Sequence, residues 1–159
     1  MTKAQAALER VGIPVYVNSA TRLEKDGYAL WLAGLGDQLA LLPSPAAGRT
    51  RVEGIDDIEA TLGAVPEGEV VILMAHEPDV FVSPDPRVAL TLSGHTHGGQ
   101  ISLLGWRPWA ASRGSRRFPL GHFQSEGRDL VVSGGLGCSV VPVRLGSWPE
   151  IVLLELGDA

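Results

Sequence analysis

Apolar residues fall in short runs along this chain, and their spacing changes from helical to alternating to continuous. From Ala4 to Val11, Ala, Leu and Val recur on one stripe, which predicts a helix ending at Gly12, ahead of Pro14. Val15 to Val17 predicts a short strand. Arg22 to Glu24 and Tyr28 to Leu35 flank Asp26-Gly27, a two-residue hairpin signal, and so predict paired antiparallel strands. Pro43 to Arg51, dense in Pro, Ala and Gly, reads as a loop. Ile55 to Leu62 has apolar positions at i, i+3 and i+7 behind acidic residues and predicts a helix.

Val70 to Ala75 is continuously apolar, the pattern of a strand covered on both faces, and it runs into His76-Glu77-Pro78-Asp79. Pro78 to Phe81 reads as a short helical turn with Pro at its start. Val88 to Leu92 repeats the arrangement and delivers Ser93-Gly94-His95-Thr96-His97-Gly98-Gly99. Gln100 to Leu104, Asp129 to Ser133 and Ile151 to Leu156 predict further strands, with an irregular segment from Trp106 to Arg117 and a glycine turn at 134–137. Strands therefore outnumber helices, and the expected class is α/β (α+β) with a mixed β-sheet. Neither a repeat nor a linker divides the chain, so 1–159 is expected to be a single domain.

Composition narrows the function more than the fold. At 45% hydrophobic and 19% charged residues the chain can build a core. Its net charge of −5 gives no general field for steering nucleic acid, so an anionic substrate needs a local anchor. The single cysteine, Cys138, cannot close an internal disulfide, and no apolar run approaches the length of a membrane span. As it stands the sequence fits a cytoplasmic, water-soluble protein.

The four histidines are His76, His95, His97 and His122, and two of them form a His-Thr-His pair amid glycines. Neutral imidazole is a good ligand for Zn, Mn or Fe, and glycines at 94, 98 and 99 permit the turns that bring two rings toward one point. A third histidine, His76, follows an equivalent buried strand. Strand-end loops of this kind commonly build sites. His76, His95 and His97 are accordingly the candidate metal ligands.

Gly94-His95-Thr96-His97-Gly98-Gly99-Gln100, preceded by His76-Glu77-Pro78-Asp79, resembles the calcineurin-like metallophosphoesterases. Ser133-Gly134-Gly135-Leu136-Gly137-Cys138-Ser139, Pro142-Val143-Arg144 and Pro149-Glu150-Ile151 resemble the closing segments of a bacterial subgroup whose members are often exported or membrane-associated. The likeness runs from about Ala7 to Leu156. It implies a four-layered αββα sandwich of which this chain is the C-terminal half. It also implies two divalent metal ions, Mn, Fe, Zn or similar, bridged by an aspartate and by a hydroxide that attacks phosphorus in line. By motif position, His76 and His95 would hold one metal and His97 the other. The activity implied is hydrolysis of a phosphomonoester or a phosphodiester. The family's Asp-x-His, Gly-Asp-x-x-Asp and Gly-Asn-His-Asp or Gly-Asn-His-Glu segments are absent from these residues. The bridging aspartate and the histidine that protonates the leaving group would come from a missing N-terminal half. Such a half, or a second copy in a homo-oligomer, is the expected protein partner, because strands such as Val70 to Met74 would otherwise lie uncovered.

Arg107, Arg113, Arg116 and Arg117 cluster near Trp106, Trp109 and Phe118. Arg116 and Arg117 are the candidate contacts to substrate phosphate, and the aromatic content suits a lipid-like substrate or a membrane surface. A solvated surface loop accounts for the same residues equally well. Asp37 reads as a turn or cap residue ahead of a place near the metals or a role as acceptor for a histidine N–H, Glu77 and Asp79 as turn residues rather than ligands, His122 as isolated, and Cys138 as a small buried residue. The rival to a hydrolase is a non-catalytic metal-binding or interaction domain in which the histidines hold one ion or none. A mononuclear three-histidine zinc hydrolase is a third reading, for which no general base is identified.

Overall fold

The structure is a computed structural model that describes residues 2–39, 41–44, 49–52, 54–82, 85–104, 106, 113–139 and 141–157. The chain divides into two compact units, Met1–Ala75 with Pro86–Ala89, and His76–Asp85 with Leu90–Ala159.

In the first unit, α1 (Lys3–Arg10) starts where Thr2 accepts a hydrogen bond from the Gln5 N–H at 3.1 Å, and it ends at Val11. Strands β1 (Ser19–Lys25) and β2 (Tyr28–Gly34) form the expected hairpin, with Leu23 opposite Leu30. Asp26 and Gly27 both take positive φ, 53° and 84°, the geometry whose twist matches the flanking strands. A small two-stranded sheet, β3 (Leu41–Ser44) with β4 (Arg49–Val52), replaces the ends of the stretch expected to be a loop, since Pro43 pairs opposite Thr50. The predicted helix shortens to α2 (Ile58–Leu62), because Asp57 caps it by accepting from the Ala60 N–H at 2.9 Å. Strand β5 (Val71–Met74) then pairs parallel with β2, Trp31 opposite Val71 through Gly34 opposite Met74. Arg87 donates to the Leu62 and Val65 carbonyls at 3.1 and 2.9 Å, satisfying acceptors at the end of α2.

Strand β6 (Val88–Ser93) begins in the first unit and ends in the second. In the second unit a 3-10 turn spans Pro78–Val82, and the short helix α3 (Arg113–Arg117) precedes the hairpin β7 (Gly121–Ser125) and β8 (Arg128–Val132). Strand β8 pairs parallel with β6 and antiparallel with β7. Phe81, Phe118, Leu130 and Val132 form a buried cluster against which Phe123 packs. Hydrogen bonding orders the strands β1-β2-β5-β6-β8-β7, a mixed sheet with antiparallel strands at its edges.

Several sequence expectations do not hold. Val71, Ile72 and Leu73 are buried, so β5 is covered rather than bare. Val15 to Val17 lies outside any strand. Gln100 to Leu104 forms only single bridges, Ile101 with Leu145 and Leu103 with Trp106, because Gln100 and Leu104 take positive φ and break the pleat. Ile151 to Leu156 is exposed and pairs with no strand among the described residues, and apolar alternation without a neighbour makes no ladder. Cys138 is exposed rather than buried.

Candidate metal centre

The apolar run of β5 gives way to buried Ala75, exposed His76 and buried Glu77, after which Pro78 opens the 3-10 turn. The Gly94 N–H donates to the His76 carbonyl at 3.1 Å, tying the residue after β6 to the second residue past β5. That tie brings His95 beside His76, their ring centroids 4.8 Å apart and their planes 82° apart. Glu77 is 1% exposed, and its carboxylate oxygen lies 3.6 Å from His95 Nδ1. One ligand atom from each of His76, Glu77 and His95 lies within 4.8 Å of the others.

Two imidazoles and one carboxylate form a donor set suited to a divalent transition metal, and the acidic member supplies the negative charge that two neutral rings lack. Burial makes that charge count: an ionised carboxylate withdrawn from water attracts a cation far more strongly than a surface one.

His97 belongs to the same strand-end loop but to a different set of contacts. It takes φ +51°, and its carbonyl accepts from the Gln100 N–H at 2.9 Å and the Ser147 hydroxyl at 2.7 Å. Its Nδ1 lies 3.1 Å from the Gly137 carbonyl and 3.2 Å from the Arg144 guanidinium. Gln100 bonds outward, donating to the Ser139 and Val141 carbonyls and accepting from the Ser139 N–H at 2.6 Å. The His-Thr-His loop is thus held from one side by residues 137–147. Gly98, at φ +61°, has room for no side chain, since a Cβ there would stand 2.5 Å from the Ser147 hydroxyl.

Among the remaining candidates, Arg116 and Arg117 are exposed on α3, and the Arg117 guanidinium lies 5.1 Å from the centre of the Phe118 ring. Arg107 and Trp109 lie outside the described residues. Asp37 is a turn residue, its carboxylate accepting from the Leu39 N–H at 2.8 Å. His122 is not isolated: its Nε2 lies 2.6 Å from an Asp129 carboxylate oxygen, which also accepts from Gln124 at 2.8 Å. Hydrogen bonds from Gln124 and then His122 hold the Asp129 carboxyl below its ordinary value.

Sequence reasoning read Glu77 as a turn residue rather than a ligand and gave Arg144 no role. The signal for Glu77 was its place directly after a strand-end histidine. Arg144 had no local signal, because its partners lie up to 47 residues away.

No family model matches the chain, and no solved structure matches it significantly. Curated proteins do match. The uncharacterized metallophosphoesterase YkuE of Bacillus subtilis is 33% identical over 147 residues, covering 91% of this chain and 47% of that protein. Phosphodiesterase YaeI of Escherichia coli is 32% identical over 153 residues, covering 94% of this chain and 49% of its own. A zebrafish (Danio rerio) transmembrane protein with metallophosphoesterase domain is 30% identical over 160 residues, covering 96% of this chain and 34% of that protein. The chain thus spans about half the length of the bacterial relatives. Among the described residues no helix is long and apolar enough to cross a membrane.

Proposed function

This chain belongs to the calcineurin-like metallophosphoesterases, and on that premise we propose that residues 1–159 contribute one side of a metal-dependent phosphoester hydrolase site. The supporting observation is the convergence of His76, Glu77 and His95 on a space where their ligand atoms lie within 4.8 Å of one another. A divalent ion such as Mn, Fe or Zn in such a site polarises a phosphoryl oxygen and lowers the pKa of coordinated water.

The chain's own residues have separable tasks. His76, at the exposed side, offers its ring where a phosphoester arrives, while buried Glu77 supplies compensating charge and orients the His95 ring through the 3.6 Å approach to Nδ1. His97 adds a further imidazole from the same loop, as the ligand of a second ion. Arg116 and Arg117, exposed on α3, offer forked donors to phosphate oxygens. The relative named as a phosphodiesterase favours a diester, and the relatives named as transmembrane proteins favour membrane association of a longer protein and a lipid-like substrate.

The test begins with the chain stripped of metal by chelation. Titration with Mn²⁺ and Zn²⁺ followed by calorimetry is expected to show saturable binding, weakened about 10–100-fold or more in Glu77→Gln. Hydrolysis of bis(p-nitrophenyl) phosphate, measured with the other side of the site in place, should vanish on chelation and return with Mn²⁺. Absence of saturable binding, or turnover that survives chelation, overturns the proposal. Saturable binding without turnover would favour the second reading, a metal-binding module that is not itself catalytic. Its specific support is that His97 stands outside the His76, Glu77 and His95 group, its Nδ1 facing the Gly137 carbonyl and the Arg144 guanidinium.

A further inference from the structure

Arg144 is partly buried in the second unit, and its guanidinium is surrounded by main-chain oxygens. Nε donates to the Gly137 carbonyl at 2.9 Å, Nη2 to the Gly137 and Gly134 carbonyls at 2.5 and 2.6 Å, and Nη1 to the His97 carbonyl at 3.3 Å. A guanidinium nitrogen of the Nη type has two hydrogens and no acceptor capacity. Both Nη2 hydrogens therefore go to the two carbonyls, and the longer 3.2 Å approach of Nη2 to His97 Nδ1 has no hydrogen left to fill it. The other neighbour of Nδ1 is the Gly137 carbonyl at 3.1 Å, which can only accept. A ring nitrogen facing that oxygen is stable when it carries the hydrogen itself.

We propose that Arg144 is a positioning residue that pins the Gly137 carbonyl against the His97 ring and so fixes the tautomer with hydrogen on Nδ1 and a free lone pair on Nε2. The ring cannot escape by a shift of its own backbone. The His97 carbonyl is held by the Gln100 N–H, the Ser147 hydroxyl and Arg144 Nη1, which together over-determine its left-handed conformation. Metal-binding histidines characteristically donate their second ring N–H to a carbonyl or a carboxylate, which leaves the other nitrogen as the ligand. The use of Nε2 as a ligand rests on the proposed metal reading; the tautomer does not.

The experiment keeps the two apart. In the metal-free chain labelled with nitrogen-15, at about pH 8.5 where an ordinary imidazole is neutral, long-range correlations from the ring carbon-bound hydrogens report which His97 nitrogen is protonated. The expected wild-type result is a protonated Nδ1 and a bare Nε2. In Arg144→Met the Gly137 carbonyl is released and the signal should move toward the Nε2–H form, while Arg144→Lys, which can still donate to the carbonyls, should restore part of the wild-type pattern. A wild-type ring protonated on Nε2 overturns the proposal, as does an unchanged tautomer in Arg144→Met. If Arg144→Met fails to fold, Arg144→Ala, which also removes every donor to the Gly137 carbonyl, carries the same comparison, with an unshifted tautomer as the overturning result.

Zn²⁺ titration of the same variants forms the second arm. Binding weakened about 10–100-fold in Arg144→Met links the tautomer to the metal site. A shifted tautomer with unchanged Zn²⁺ affinity supports the positioning role and removes His97 from the ligand set.

Discussion

Two strand ends deliver the histidines, and they do so by opposite means. After β5 the chain passes through Ala75, His76 and Glu77 into a 3-10 turn begun by Pro78, with no positive φ from Ala75 through Val82. After β6 the backbone is left-handed at His95, His97, Gly98, Gly99 and Gln100. Each such non-glycine residue costs roughly 1–3 kcal/mol and persists only where its surroundings insist on it. Those surroundings are Gln100 bonding to Ser139 and Val141, Ser147 bonding to His97, and Arg144 spanning Gly134, Gly137 and His97. The first end is a local product of its own sequence. The second is a loop held in tension by a segment some 40 residues further on.

This contrast is broken most severely at Gly98. Valine there would combine left-handed strain with overlap of the Ser147 hydroxyl, so Gly98→Val is expected to lower stability by about 2–4 kcal/mol in urea unfolding. It should also abolish metal binding at the site. A loss below about 1 kcal/mol would mean that the loop is not under the tension described. At the other strand end, Pro78→Ala should cost about 1–2.5 kcal/mol, through greater freedom of the unfolded chain and the loss of buried ring methylenes, and should leave metal affinity unchanged in the same calorimetry. A large drop in affinity would show that the first end also depends on a rigid mould.

The smallest effect is expected at a place remote from both ends, the β7–β8 hairpin. Gln124 and His122 hold the Asp129 carboxyl below its ordinary value, so the native state binds that proton less readily than the unfolded chain. The contribution is therefore complete above the ordinary carboxylate range and declines as pH falls through the lowered native value. The protection of the β7 and β8 amides against exchange, taken relative to the intrinsic rate at each pH, should fall more steeply on acidification in the wild type than in Asp129→Asn. Equal acid dependence in the two proteins would remove the carboxylate as the cause.

The same contrast explains which features the sequence disclosed. The β1–β2 hairpin was legible because Asp26-Gly27 stands between two apolar runs, β5 because a buried parallel strand is apolar without interruption, and β6 because only Thr91 breaks its apolar run from Val88 to Leu92. The strand-end histidines followed from those strands. Strand β7, read as Gly121-His122-Phe123-Gln124-Ser125, was missed because an edge strand exposes polar residues and owes its existence to pairing with β8. Helix α3 was missed because Arg113-Gly114-Ser115-Arg116-Arg117 has no apolar period. Ile151 to Leu156 was over-read, since hydrophobicity marks a strand only when a neighbour completes the ladder. Glu77 was passed over because adjacency to Pro78 explains it as a turn residue, and only folding shows it buried beside His95.

Asn18, in the first unit, has a bearing on how that unit loosens. Its amide donates to the Ile55 carbonyl at 2.6 Å, and its oxygen accepts from the Gly36 N–H at 2.7 Å and the Asp57 N–H at 3.1 Å. One short side chain thus latches the corner after β2 and the entrance to α2 together. Thermal fluctuations that release it free both stretches at the same instant, so this part of the molecule frays as one hinged flap rather than as two independent edges.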